Sequence, residues 1–402
     1  MLSLWRIFVR SAVWEWRIIQ RHRVERVLLV LLPALTIGLI WYTFSASQVR
    51  NLPIGVIDKE NTTLSRKLIS MVNASPNVAV VKHFRDAQEM QHALRETQVY
   101  ASIIIPENFS HRIHQLQPSP VTLVVNAQYG THSGIIQSGV GSAVRTFSAG
   151  IELRLRTKMG MTKQQALDAL IPIKPNVKMA FNQSLNYQQF LASTVIPALL
   201  HILATVVGVG VIGRELRHST LGWWFAGVSK YDSEQVPRVL ALFVALMGKL
   251  FWHSLIFCGW MTISIVLVTW HNSPPLANLC ITILNGWLLM IISLWLGIVL
   301  TAMAMSNRMG LSNAGIITAP AFAFSGVTYP LVAMPKAAQI IATMLPLTHY
   351  LQSQIAQIQT QQSWHLGLST SYNFIIALII LMILGTLFTT IALKRKHRWG
   401  MR

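Results

Sequence analysis

Six stretches of this sequence are long and apolar enough to meet or approach the length of a bilayer-crossing helix: 27–44, 190–212, 250–270, 276–304, 310–329 and 372–393. Such a helix needs about 20 mostly apolar residues. Only 11% of the chain is charged, against about 25% in a soluble globular domain. A chain built this way folds as a helical membrane protein, and its length does not translate into a count of soluble domains.

The basic residues orient the spans. Arg6, Arg10, Arg17, Arg21, Arg23 and Arg26 precede the first. Arg214, Arg217, Lys230, Arg238 and Lys249 lie between the second and third, and Arg308 between the fourth and fifth. Lys394, Arg395, Lys396, Arg398 and Arg402 follow the sixth. The loops on the other side are nearly bare: 271–275 has no Lys or Arg, and 331–371 has only Lys336. The positive-inside rule then puts both termini in the cytoplasm and segment 45–189 outside, because long translocated domains largely escape the rule. The formal net charge of +20 is therefore topogenic. A nucleic-acid binder would gather its cations on a solvated face, and no such partner is expected. Cleavage after 27–44 as a leader is the weaker alternative, since the leader would be unusually long and rich in tryptophan.

Residues 1–26 hold an amphipathic segment. Trp5, Phe8, Ala12, Trp16 and Ile19 fall at helical spacing, with Arg6, Arg10, Arg17 and Arg21 on another face, which suits a helix lying in the headgroup layer against membrane lipid. Segment 45–189 alternates β-rich runs (53–57, 78–83, 99–105, 121–126) with helical ones (63–71, 85–96, 106–116), the pattern of a small α/β domain. Pro106 reads as a first-turn proline. A long helix over 131–158 and a last strand over 171–181 complete it. His111 and His114 could share a helix face, but with no third ligand visible no metal site is expected. Cys258 and Cys280 lie in or beside apolar runs and read as small hydrophobes.

Residues 330–371 cannot form one continuous helix, because Pro330, Pro335 and Pro346 interrupt it. They are also too apolar for a solvated loop. A pair of short helices dipping back into the outer leaflet fits both facts, and broken backbone at that depth belongs inside protein or beside a water-filled path. A plain apolar loop is the alternative.

The run from Leu294 to Tyr350 resembles the ABC-2 family of exporter permeases. The resemblance rests on Gly297, Ser306 and Asn307, then Ser325, Gly326, Pro330, Met334 and Pro335, then Pro346, Thr348 and Tyr350. It implies one span, a large external domain and five further spans. The fold class expected is thus an integral membrane α-helical protein with six transmembrane helices and an inserted α/β external, periplasmic domain. It implies an exit gate at Ser325, Gly326, Pro330, Met334, Pro335 and Pro346. It also implies a cytoplasmic coupling segment, 213–249, where Arg214, Glu215, Thr220 and Leu221 match the family's ATPase-docking turn. Ser219 stands where the family usually has Gly, Gly222 where it has Glu, and Gly227 where Pro is common. Asn313, Thr318 and Phe322 are helix-spaced candidates for a substrate path, and 394–402 is a basic tail.

No G-x-x-x-x-G-K-[ST] phosphate loop occurs in the chain, so the backbone cradle for ATP phosphates is missing. The chain is expected to be no enzyme and to bind no cofactor itself. ATP and Mg would be used by a separate ABC ATPase subunit. No Asp or Glu follows Glu234, and ion-coupled carriers usually place carboxylates in the membrane. His201 and His253 remain as titratable groups in spans and read as polar contacts between helices. A membrane-embedded enzyme would need a nucleophile, a base and a charge stabiliser close together, and no such set stands out. The expected function is the permease of an exporter of amphipathic, drug-like or lipid-like compounds in a bacterial inner membrane. Its partners would be an ATPase subunit and a second permease, identical or different. In a Gram-negative cell they would extend to a periplasmic adaptor and an outer-membrane channel. A non-transporting receptor or scaffold of the same architecture and an ion-coupled carrier are the alternatives.

Overall fold

The structure is a computed structural model, and it describes residues 2–115, 117–165, 181–182, 186–230, 236–270 and 273–399. It divides into two compact units, one formed by Met1–Ser47 with Ala180–Arg402, the other by Gln48–Met179.

In chain order, α1 (Leu2–Arg21) leads into α2 (Arg23–Thr43), which carries a π turn at Val27–Leu31. The sheet unit follows as β1 (Leu52–Asp58), α3 (Thr63–Asn73), β2 (Val78–His83), α4 (Ala87–Arg95), β3 (Ala101–Ile105), α5 (Phe109–His114), β4 (Thr122–Val125) and α6 (Gly130–Lys158). Its strand order is β2-β1-β3-β4, with β1 parallel to both neighbours and β4 antiparallel to β3. Central β1 is buried along nearly its whole length, as a parallel strand covered on both faces should be. The helices start where their caps are: Thr62 and Ser65 form a reciprocal capping box on α3, and the Asp86 side chain accepts from the Glu89 amide at 2.8 Å on α4. Ile54, Val56, Leu68, Val72, Ile103, Ile136 and Val140 make the core. The strands and helices match the sequence reading closely, with one difference. Pro106 precedes α5 by three residues, because the helix begins only after Asn108 takes a left-handed conformation (φ 61°). The strand expected over 171–181 lies almost wholly outside the described residues.

The chain then continues as α7 (Gln188–Arg217), α8 (Leu221–Ser229), α9 (Arg238–Thr269), α10 (Leu276–Ala304) and α11 (Asn307–Thr318). Two 3-10 turns follow, Pro320–Ser325 and Leu331–Ala333. After them come α12 (Lys336–Met344), α13 (Pro346–Gln354) with a π turn at Ile355–Gln359, α14 (His365–Lys394) and a 3-10 turn at Lys396–Arg398. Among the described residues, five helices are long and apolar enough to cross a membrane: α2, α7, α9, α10 and α14.

Helix α10 is the centre of its unit and packs on α7 and α14. Gly208 and Gly297 allow the α7–α10 crossing. A Cβ at Gly208 would sit 2.2 Å from the Leu294 carbonyl, and one at Gly297 2.3 Å from that of Thr205. Small residues at such crossings let backbones approach where lipid gives no hydrophobic drive. His201 on α7 meets Ser293 on α10 at 2.6 Å, a contact between helices as its position in a span suggests.

Several helix boundaries differ from the sequence reading; α7, for one, runs on to Arg217, so Arg214 and Glu215 end a helix rather than open the coupling segment. Helix α9 starts at Arg238 and takes in 239–249, which that reading gave to a coupling segment. Lys249 does not end the apolar run, because its charge is paired inside the protein (below). Residues 310–329 form no single helix: α11 stops at Thr318 and the chain tightens into a 3-10 turn from Pro320. Proline lacks the N–H that would continue the ladder. Helix α14 begins at His365, seven residues before the apolar run at 372.

Candidate functional site

Helix α1 is amphipathic, as its periodicity predicts, but the face it buries is only partly the expected one. Of the expected apolar face, Ala12 and Ile19 are buried but Trp5 and Trp16 are exposed; the buried stripe is rotated to take in Ile7, Ser11 and Glu15 instead. This face lies on α9. Ser11 donates to the Ala245 carbonyl at 2.6 Å, and the Trp252 indole to that of Ala12 at 3.1 Å. Gly248 makes the approach possible, since a Cβ there would meet the Phe8 carbonyl at 2.4 Å.

Glu15 is the centre of a buried ion cluster. Its carboxylate accepts from Lys249 Nζ at 2.8 Å and from Arg214 Nη2 at 2.5 Å, and His253 Nε2 lies 3.8 Å away. Lys249 also donates to Glu215 at 2.9 Å and sits 4.7 Å above the Trp224 ring. Arg214 pairs a second time, with Glu25, and the Thr220 hydroxyl donates to Glu215. The cluster thus joins α1, α2, α7 and α9 to the turn that opens α8. Burial alone would push the Glu15 carboxyl up, but Lys249, Arg214 and His253 outweigh it and hold its pKa at about 2.

A set of buried charges like this does not add much net stability, because desolvation offsets the attraction. Its effect is on geometry. Glu15 and Glu215 are each held from two sides, so a shift of α1, α7 or α9 leaves a charge unpaired in a dry interior.

Of the expected coupling residues, Arg214 and Glu215 point into this cluster and Leu221 is fully buried. The outward surface of the turn belongs to residues that the sequence reading passed over. Trp223 is 79% exposed, and Arg217 and His218 are exposed beside it. Ser219, in the place of the family's glycine, has φ +57°. The left-handed turn that glycine favours is therefore kept here by a residue that bears about 1–2 kcal/mol of strain for it.

The expected gate residues cluster around the short helices. The Ser325 hydroxyl donates to the Phe322 carbonyl at 2.6 Å, and Gly326 has φ +83° with Leu331 packed against it. Pro330 and Pro335 immediately precede the second 3-10 turn and α12, and Pro346 opens α13. Met334 is buried. The path candidates do not share a face. Thr318 is buried with its hydroxyl bonded to the Ala314 carbonyl at 2.8 Å, Asn313 is half-buried, and Phe322 lies beyond the end of α11. The exposed face of α11 carries Ser312, Gly315 and Ile316 instead.

A sequence profile for the ABC-2 family transporter proteins matches residues 26–394. The chain belongs to the ABC-2 family. Within curated proteins it is similar to the probable multidrug ABC transporter permease YbhR of Escherichia coli strain K12, at 19% identity over 329 residues, which cover 80% of this chain and 82% of that protein. The counterpart from Escherichia coli O157:H7 matches to the same extent. ABC-2 permeases are membrane subunits rather than enzymes, and membership implies a partnering ATPase subunit. The five apolar helices agree with a multi-pass membrane protein. Among the described residues, the buried cluster joins five charged side chains, Glu15, Glu25, Arg214, Glu215 and Lys249. Its signals in the sequence were one lysine inside an apolar run and one glutamate inside an arginine-rich helix.

Proposed function

We propose that this chain is the permease of an ABC exporter that moves an amphipathic, drug-like or lipid-like compound out of the cytoplasm or the inner leaflet, driven by a separate ATPase. The observation that carries the reading is the buried ion cluster behind α8. Trp223, Arg217 and His218 offer an exposed, basic and aromatic surface. Directly behind it, Thr220, Glu215, Lys249 and Glu15 tie that surface to α1, α7 and α9. A push on α8 passes to these helices as a rigid unit, because bending the link would strand a buried charge. The ATPase contact in this reading is made by Trp223 and its neighbours, with Arg214 and Glu215 as internal struts.

The sixth crossing is made by α11 together with the 3-10 turn Pro320–Ser325. At 1.5 Å per residue for the first and 2.0 Å for the second, the pair spans about 30 Å, the thickness of the hydrocarbon core. The sheet unit lies outside, both termini lie in the cytoplasm of a bacterial inner membrane, and a second permease packs alongside. Helices α12 and α13 form the outer gate. A proton-coupled carrier fits less well: a relay group needs a pKa near the working pH, and Glu15 is held at about 2. The changed docking residues Ser219 and Gly222 would favour the receptor alternative, yet Ser219 adopts the left-handed conformation that glycine favours.

The test is co-purification in mild detergent, followed by export from cells. An ABC ATPase should co-isolate with the wild type, and Trp223→Glu should lose both the ATPase and export while remaining folded. A chain that isolates with no ATPase and exports unchanged as Trp223→Glu would overturn the reading.

A further inference from the structure

The sheet unit holds a cavity that the permease reading does not use. It measures about 630 Å³ and opens between α3, α5 and the last turns of α6. Its apolar lining comes from Leu64, Ile113, Ile151 and Leu155. A second cavity of about 570 Å³ shares Ile113, Ile151 and Leu155 and continues to Phe109 and Phe147. Both fall within the range of about 300–1,000 Å³ typical of small-molecule sites.

The sequence explains why this surface exists. Phe147, Ile151, Leu155 and Met159 recur every four residues along α6 and so form one apolar stripe. Phe147, nearest the sheet core, is buried; Ile151 and Leu155 are half-exposed; Met159 is 62% exposed. The stripe runs off the core and is left without a complete cover among the described residues.

The rim has one sign of charge. Arg154, Lys158 and Lys163 line the first cavity together with His114, and none of its described lining residues is acidic. The one carboxylate in the second cavity, Glu152, is already held by Arg156 at 2.6 Å. An apolar slot with a cationic mouth complements a molecule with an apolar tail and an anionic head.

We propose that this cavity binds an anionic single-chain amphiphile. The tail lies along Ile113, Ile151 and Leu155, and the carboxylate or equivalent head pairs with Lys158, Lys163 and Arg154. Exposed arginine and lysine at the mouth favour an anion through charge-assisted hydrogen bonds. A neutral ester or a cationic amphiphile of the same length fills the slot but gains nothing at the rim.

The experiment uses the full chain in phosphatidylcholine nanodiscs and a diazirine-bearing dodecanoate, with cross-linked peptides mapped by mass spectrometry. Labelling is expected on the peptides containing Ile113 and Ile151. Laurate should compete it away, whereas methyl laurate and dodecyltrimethylammonium should compete at least about tenfold more weakly. The exposed charge reversals Lys158→Glu and Lys163→Glu together should weaken labelling by at least about tenfold, the effect of losing one charged hydrogen bond. A second variant, Leu155→Trp, narrows the slot without touching the rim and should block labelling too. Equal competition by the methyl ester, labelling spread evenly over the chain, or full labelling of the double charge reversal would each overturn the proposal. The assay needs no ATPase, so a failure here leaves the exporter reading standing.

Discussion

The two ends of α7 are both polar and both buried, but they are built from different chemistry. At Arg214–Glu215 the groups carry full charges: Glu15, Glu25, Arg214, Glu215 and Lys249 hold one another within ion-pair distance. At Gln188–Ser193 the groups are neutral. Gln354 donates to the Ser193 carbonyl at 2.7 Å, and Gln359 to that of Gln189 at 2.8 Å and to the Ser193 hydroxyl at 2.9 Å. Around them, Asn285 donates to Ser353 and to the Gly367 carbonyl, and accepts from Ser371 at 2.6 Å. The neutral end also coincides with two π turns, Gln188–Ala192 and Ile355–Gln359, where the helical ladder is already loosened. A charged cluster loses several kcal/mol when one member moves, whereas a neutral amide that changes partner loses about one. On the exporter reading proposed above, the difference divides the labour along one helix: the charged end transmits, and the neutral end is where α7 and α13 can rearrange.

Lys249→Ala should have the largest effect. It leaves Glu15 and Glu215 without their shared cation and should cost about 3–5 kcal/mol, read as loss of folded protein in detergent by denaturant titration. A double-mutant cycle with Glu15→Gln should give a coupling of about 0.5–3 kcal/mol. Additive losses would mean that the cluster does not act as one body, and the contrast between the two ends would fall.

Asn285→Ala should cost less, about 1–3 kcal/mol, because it strands only neutral partners at Ser371 and Ser353. The same titration checks it. A loss as large as that of Lys249→Ala would show that the neutral end is as intolerant as the charged one.

The fold was legible where local chemistry decides it. The strands and helices of the sheet unit follow from β-branched runs, turn residues and caps, and the apolar helices from length and composition. The charged cluster was legible only in part. Periodicity on α1 identified the helix and placed Ala12 and Ile19 inward, but it put the tryptophans there and left Glu15 out, because a scale that treats Glu15 as a surface residue cannot foresee that Lys249, 234 positions away, removes the penalty for burying it. The same pairing let α9 run through Lys249, where charge alone suggested a boundary. The family resemblance singles out Arg214 and Glu215, yet their direction is not readable from it, since one helical step separates an outward contact from an inward strut. At the neutral end a signal was present and unread: Asn278, Thr282 and Asn285 recur on one face of α10, and all three are buried. Polar residues at that spacing inside a span mark a helix–helix contact.

The smallest effect expected is the absence of one. If the charged end is a permanent strut, Glu15 must stay ionised across the physiological range. Its folded pKa of about 2 lies below the free value of about 4.3. The stability it contributes is therefore complete above about pH 5 and is lost progressively as pH falls from there through about 2. Difference infrared spectra of wild type against Glu15→Gln isolate its carboxylate band. That band should persist unchanged from pH 8 to pH 4, where a solvated glutamate is already more than half protonated. Its disappearance by pH 5 would mean that Lys249 and Arg214 do not hold the charge. The cluster would then be a titrating site, and the sharp difference between the two ends of α7 would give way to two adjustable ones.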